Sequence, residues 1–273
     1  MKKKKLAVLC IVVCACAAFC FAGCGTKQED PIADGTLSIG TNATYVPLEY
    51  RDDQNNLVGF DKDLGDALAQ KLGVKSEWVD TAWDGIFNGL GSGQYDCIIS
   101  GVSITSERQK NFYMTDPYIA NGIVIVSRKD GTAATKASDL NGKKVGVQIE
   151  TTADTAAEAM KTNDGNTMEI SKFDGMMDAF AALEGKTVDY ILTDEPVGQY
   201  YTSLKPDVYS VTSDSLSNEP IGICMKKGDT EFGDKVNQAL KDLKDDGTMA
   251  KLSQKWFKKD LTQNISTDLK TIE

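Results

Sequence analysis

The chain has 273 residues, 30 of them basic and 40 acidic, and no histidine, for a formal charge of −10 at neutral pH. An acidic protein lacks the basic footprint that a phosphate backbone needs, so nucleic-acid binding is set aside. With no histidine and no Cys-x-x-Cys pair, neither a zinc centre nor any other metal or cofactor is expected.

Four lysines, Lys2 to Lys5, precede an uncharged, apolar-rich run over residues 6–22. That order is a secretory signal, too short to be a confident membrane span of about 20 residues. It ends in Phe21-Ala22-Gly23-Cys24, which resembles a bacterial lipobox with Phe21 at the usual aliphatic position. The resemblance implies a signal peptide over 1–23, diacylglycerol on the Cys24 sulfur and acylation of the new amino group. Two or three acyl chains anchor stably where one does not. The polar stretch that follows suits a tether over 24–35. Cleavage removes four lysines and no acid, which takes the charge to −14. Of seven cysteines, four leave with the signal and Cys24 is acylated, so Cys97 and Cys224 remain. A disulfide in an oxidising compartment and two buried thiols are equally good readings of that pair.

Beyond the tether, β-rich runs at 37–40, 95–100, 123–127, 144–148, 189–193 and 221–226 alternate with amphipathic stretches. Phe60, Leu64, Ala67, Leu68 and Leu72 recur at helical spacing before Gly73, and residues 153–160 are good helix formers. This alternation predicts an α/β fold with mostly parallel sheets. A weak internal repeat refines it. Trp83-Asp84-Gly85-Ile86-Phe87 leads through Gly93 to Tyr95-Asp96-Cys97-Ile98-Ile99; Phe173-Asp174-Gly175-Met176-Met177 leads through Gly185 to Val188-Asp189-Tyr190-Ile191-Leu192. In each copy the Asp-Gly pair is expected to start a helix and the later glycine to end it. Two copies of one unit suggest two lobes built alike, with a cleft between them.

Ligands in open α/β sheets sit beyond the carboxyl ends of strands. The first repeated strand is followed by Ser100, Gly101, Ser103 and Arg108, the second by Asp194 and Glu195. A guanidinium on one wall and a carboxylate on the other complement a zwitterion. Ser103 can add a hydroxyl to the arginine's end. Thr151 or Thr152 is expected to cap the next helix, whose free amides can hold an anion. Asp194 has a second reading, as the cap of a helix beginning near Pro196. Tyr45, just after the first strand, and Trp83 suit either the walls of a cleft or the edge of a core.

Together these segments look like the family 3 bacterial solute-binding proteins, the amino-acid receptors of ABC importers. The resemblance runs from about residue 36 to 261. It is carried by residues 40–49, Gly59-Phe60-Asp61-Lys62-Asp63-Leu64, residues 83–96, residues 103–108 with Asp116-Pro117-Tyr118, and Thr193-Asp194-Glu195. It implies a two-lobed, periplasmic-binding-protein-like type II fold with crossover hinge strands near 119–122 and 213–219. Lobe one would comprise 36–120 and 219–273, and lobe two 121–218. It further implies that Arg108, Ser103 and Thr152 hold an α-carboxylate, and that Asp194 with the backbone at Ser100 and Gly101 holds an α-ammonium. Tyr45 and Trp83 would flank the side chain, with Asn42 and Gln148 nearby. The expected partners are a free polar amino acid and ABC permease subunits; the receptor would be a monomer, lipid-anchored to the outer face of the cell membrane.

Two departures stand out. Lys62 replaces a usual apolar residue, and Glu150 replaces the glycine that commonly precedes the two threonines. Asn42 stands where receptors for basic amino acids often carry an acid. The rival reading is a cyclohexadienyl or arogenate dehydratase-like enzyme on the same fold, with Glu150, Asp194 or Glu195 as general acid. A third is the sensor module of a receptor with a separate signalling partner.

Overall fold

A computed structural model describes residues 30–272. The expected signal and Cys24 lie outside the described residues. Part of the expected tether is folded: Ile32 packs on the core and Asp30 pairs with Lys235 at 2.5 Å.

The first half of the chain runs β1 (Thr36–Thr41), β2 (Thr44–Tyr45), β3 (Glu49–Arg51), β4 (Leu57–Val58), α1 (Phe60–Leu72), β5 (Lys75–Asp80), α2 (Trp83–Ser92), β6 (Cys97–Ile98), α3 (Ser106–Asn111) and β7 (Phe112–Met114). There follow β8 (Ile123–Arg128), β9 (Lys144–Gln148), α4 (Thr152–Thr162), β10 (Glu169–Phe173), α5 (Met176–Glu184), β11 (Tyr190–Asp194), α6 (Glu195–Leu204) and β12 (Tyr209–Val211). The last elements are β13 (Cys224–Lys226), α7 (Thr230–Asp245) and α8 (Thr248–Phe257).

Two five-stranded sheets carry the lobes, ordered β5-β1-β6-β13-β7 and β10-β9-β11-β8-β12. The strands of the internal repeat, β6 and β11, occupy the centre of each. Each is parallel to one neighbour and antiparallel to the other. The sheets are therefore mixed rather than mostly parallel. Strands β8 and β13 each follow a crossover directly, with no helix to carry the chain back, so they enter antiparallel.

The helices follow their apolar spacing. In α1, Phe60, Leu64 and Leu68 are buried, and Gly73 ends it in the left-handed conformation at φ 76°. The two repeat copies start differently. Helix α5 follows its Asp-Gly pair, whereas α2 already begins at Trp83, so Asp84 and Gly85 lie in its first turn. Cys97 and Cys224 are buried free thiols on paired strands, but Cys97 lies opposite Met225 and Cys224 opposite Ile98. Neighbours along a strand point to opposite faces, so the two sulfurs lie on different sides of the sheet and pack in different clusters.

The segments joining the lobes pair antiparallel. The Ile221 amide donates to the Ile119 carbonyl at 3.0 Å, Glu219 to Asn121 at 3.0 Å and Leu216 to Ile123 at 2.8 Å. The end of the chain clasps both. The Ala120 amide donates to the Leu261 carbonyl at 3.0 Å, and Asn218 and Lys270 exchange backbone hydrogen bonds at 2.8 and 3.0 Å. The Asn218 side chain also donates to the Asp268 carbonyl at 2.6 Å, and Ile272 packs on the second lobe's core.

Candidate ligand-binding site

A tight cavity of about 10 Å³ lies between the lobes. Asn42, Tyr45, Trp83, Ser100, Gly101, Ser103, Arg108, Gln148, Thr152 and Asp194 all line it, joined by Glu49 and Thr151. The ten residues expected at a site from the sequence are thus brought together.

Arg108 is placed by the short helix α3, whose N-cap Thr105 accepts from the Arg108 amide at 3.1 Å. Its guanidinium donates to the Ser103 carbonyl at 2.9 Å and lies over the Phe87 and Trp83 rings, 5.1 and 5.7 Å from their centroids. Burial lowers its pKa, and the charges of Asp194 and Glu219 oppose that shift. Because one N–H group is spent on Ser103, the planar fork is fixed while its other donors stay free.

Asp194 occupies the N-cap position of α6 but makes no capping hydrogen bond. Its carboxylate instead accepts the Tyr45 hydroxyl at 2.6 Å and the Asn121 amide at 2.7 Å. Burial raises its pKa, against the pull of Tyr45, Asn121 and Arg108. Tyr45 belongs to the first lobe, so this contact closes the cleft. Two more contacts do the same. The Trp83 indole donates to the Glu150 carbonyl at 3.1 Å, and the Gln148 amide to Asn42 Oδ1 at 3.3 Å.

The cap of α4 is Thr151, which accepts from the Asp154 amide at 3.3 Å. Thr152, not needed as the cap, lines the cavity and hydrogen-bonds Glu219. Gly101 has φ +58°, and a Cβ there would sit 3.2 Å from the Tyr45 ring and from Leu48. Only glycine adopts that backbone without strain and leaves Tyr45 its place. Its amide donates to Asp61 at 2.7 Å, so toward the cavity this turn has carbonyls to offer.

Glu150 has φ 58°. The left-handed backbone explains why glycine suits the position; a glutamate bears the steric cost. Its side chain is exposed and lines an outer cleft of about 390 Å³, which shares Arg108 and Thr152 with the cavity. Glu195 pairs with Lys259 at 3.5 Å and lines neither space.

Glu49 and Asn121 were not picked out by sequence reasoning, and Thr151 only as a candidate helix cap. Glu49 sits inside a quoted segment, but an acid in a strand-to-loop stretch reads as surface. Its full burial comes from α1 folding back over β3.

Comparisons with known proteins agree with this architecture. The chain is 32% identical over 231 residues to the L-cystine-binding protein TcyJ of Escherichia coli K12, covering 84% of this chain and 85% of that one. A solved ancestral arginine-binding protein bound to arginine superposes with a TM-score of 0.77 at 40% identity, covering 82% of this chain and 98% of that one. An ABC uptake transporter substrate-binding protein from Streptococcus pneumoniae with bound histidine gives a TM-score of 0.80 at 28% identity, covering 86% and 97%. The model of the bacterial extracellular solute-binding proteins, family 3, matches residues 37–259, and the chain belongs to that family.

Proposed function

We propose that this protein is the extracytoplasmic receptor of an ABC importer and captures a polar amino acid between its closing lobes. The observation that carries this reading is the meeting of Arg108 and Asp194, from different lobes, in one cavity. A ligand carboxylate would take the free donors of Arg108, the Ser103 hydroxyl and the amide end of α4 at Thr152. An α-ammonium would take Asp194 and carbonyls of the Ser100–Gly101 turn. Tyr45, Trp83, Asn42 and Gln148 would bound the side chain. The relatives, named for cystine, arginine and histidine, support an amino acid without selecting one. They also favour binding over dehydration. We take the lobes as 36–120 with 219–273, and 121–218, with Cys24 as the lipid anchor and the receptor as a monomer.

Closure is a population shift. Only contacts made in the closed state can drive it, and a ligand touching both walls supplies them. The test is a thermal-shift screen over the twenty amino acids and L-cystine, followed by calorimetry. A specific binder raises the melting temperature. No shift with any of them, alongside turnover of prephenate or arogenate, would replace this reading with the enzymatic one.

A further inference from the structure

One hinge residue touches both ends of the site. Asn121 lies in the first crossover and is buried. Its backbone is held from two sides. The Asn121 carbonyl accepts the Glu219 amide at 3.0 Å, and the Gly122 carbonyl accepts the Glu195 amide at 2.9 Å. A Cβ at Gly122 would collide with Ser215 and with the Ser217 carbonyl, so only glycine lets the two crossovers lie this close. Ile123, the next residue, is in register with Asp194.

The Asn121 side chain works from that fixed base. Its Nδ2 lies 2.7 Å from Asp194 Oδ1, 3.2 Å from the Glu219 carbonyl and 3.4 Å from Ser103 Oγ. These acceptors belong to the second lobe, the second crossover and the first lobe. An amide nitrogen carries two hydrogens, so three acceptors share two donors. The shortest contact is charge-assisted and fixes the Asp194 carboxylate, which also accepts from Tyr45. At Ser103 the donated N–H occupies a hydroxyl lone pair and leaves the O–H for the cavity that Ser103 lines. The Asn121 Oδ1 is buried with no partner among the described residues. Turning the amide over would set that oxygen against the Asp194 carboxylate, so the N–H groups are what the position requires.

We propose that Asn121 is a positioning residue: from the hinge, its one side-chain amide orients both Asp194 at one end of the ligand and the Ser103 hydroxyl at the other. This deepens the amino-acid reading and rests on it. Asn121 is not among the residues that line the cavity, so it acts through those two groups and not by touching the ligand. Lobe angle and site geometry are thereby set at one joint. Opening moves Ser103 and Asp194 apart, the amide then cannot reach both, and the full set of contacts exists only in the closed form.

The experiment is calorimetric titration, at about pH 5 and about pH 8, with the amino acid that the screen of the twenty and L-cystine identifies. Each affinity is taken relative to wild type at the same pH. Asn121→Asp keeps the shape and removes the amide donors. The other titratable or charged groups facing Asp194 are Glu219 of the second crossover and Tyr45, Glu49, Arg108 and Tyr118 of the first lobe, and all are common to variant and wild type. At the higher pH two ionised carboxylates face each other, and affinity should fall about 100-fold. At the lower pH the pair shares one proton, an O–H donor replaces the N–H donor, and the deficit should shrink to about tenfold. Asn121→Ala brings no charge and should lose about tenfold at both. A purely structural role would lower stability without that pH profile. Equal deficits of Asn121→Asp at the two pH values, or an Asn121→Ala affinity within about twofold of wild type, overturns the proposal. Should Asn121→Asp not fold, Asn121→Ser, smaller and still a donor, replaces it: binding no tighter than Asn121→Ala refutes the positioning role. If no amino acid binds wild type, the parent reading itself has failed.

Discussion

The guanidinium of Arg108 offers the sharpest test of the carboxylate end. It holds one hydrogen bond to Ser103 and stacks over two rings, which fixes its plane. A ligand carboxylate would receive two charge-assisted hydrogen bonds, each worth about 1.5–3 kcal/mol. Arg108→Ala removes both, and roughly 3–5 kcal/mol of affinity follows, a loss of about 10²–10⁴-fold. Arg108→Lys keeps the charge but not the fork, and loses about 2 kcal/mol, roughly 30-fold. Calorimetric titration with the amino acid from the screen reads both. The ligand-free protein behaves differently: it bears the cost of burying that cation, so removing it should move the melting temperature by only about 2 °C. Equal affinities for wild type, lysine and alanine would refute a carboxylate at this arginine. A collapse of ligand-free stability would instead make Arg108 a packing residue.

Other outcomes follow from neighbouring features. Glu150→Gly relieves the left-handed backbone at φ 58° and should stabilise by about 1 kcal/mol, a rise of about 2–4 °C by scanning calorimetry. Trp83→Phe deletes the indole donor to Glu150 across the cleft; affinity should fall about fivefold, chiefly through faster dissociation in stopped flow. Asp61 is pushed by burial from an ordinary 3.8 up to about 6. The folded state thus binds that proton more tightly than the unfolded one, and its stabilisation is lost as pH rises through about 6. Ligand-free melting temperature should fall between about pH 4 and 6, less steeply in Asp61→Asn. Finally, protein lacking residues 1–24 should show no reactive thiol when native and two per chain, Cys97 and Cys224, when denatured, by a colorimetric thiol assay.

Much of this architecture was legible in the sequence because local signals agreed with global ones. The 3.6-residue spacing before Gly73 located α1, and the repeat identified the central strand of each sheet. Strands β5 and β10 escaped notice. They are sheet edges, with polar residues such as Lys75, Glu77 and Lys172 where an interior strand would be apolar. Strand direction was misjudged because periodicity carries no polarity; only the crossovers, contacts between residues about 100 apart, determine it. Residue types flanking the central strands pointed to Arg108 and Asp194. Glu49 was invisible for the opposite reason: a carboxyl that is buried only by distant residues leaves no local trace.

The chain's last residues alter how the lobes can move. Two peptide strands alone form a ribbon, soft to twisting as well as to bending. The stretch 261–272 bonds Ala120 on one outer edge and Asn218 on the other, so the connection is clasped from both sides. Torsion then shears backbone hydrogen bonds, whereas flexing about the common axis spares them. Opening is thereby confined to nearly one degree of freedom, a pair of jaws rather than a ball joint, and less orientational entropy is given up each time they shut.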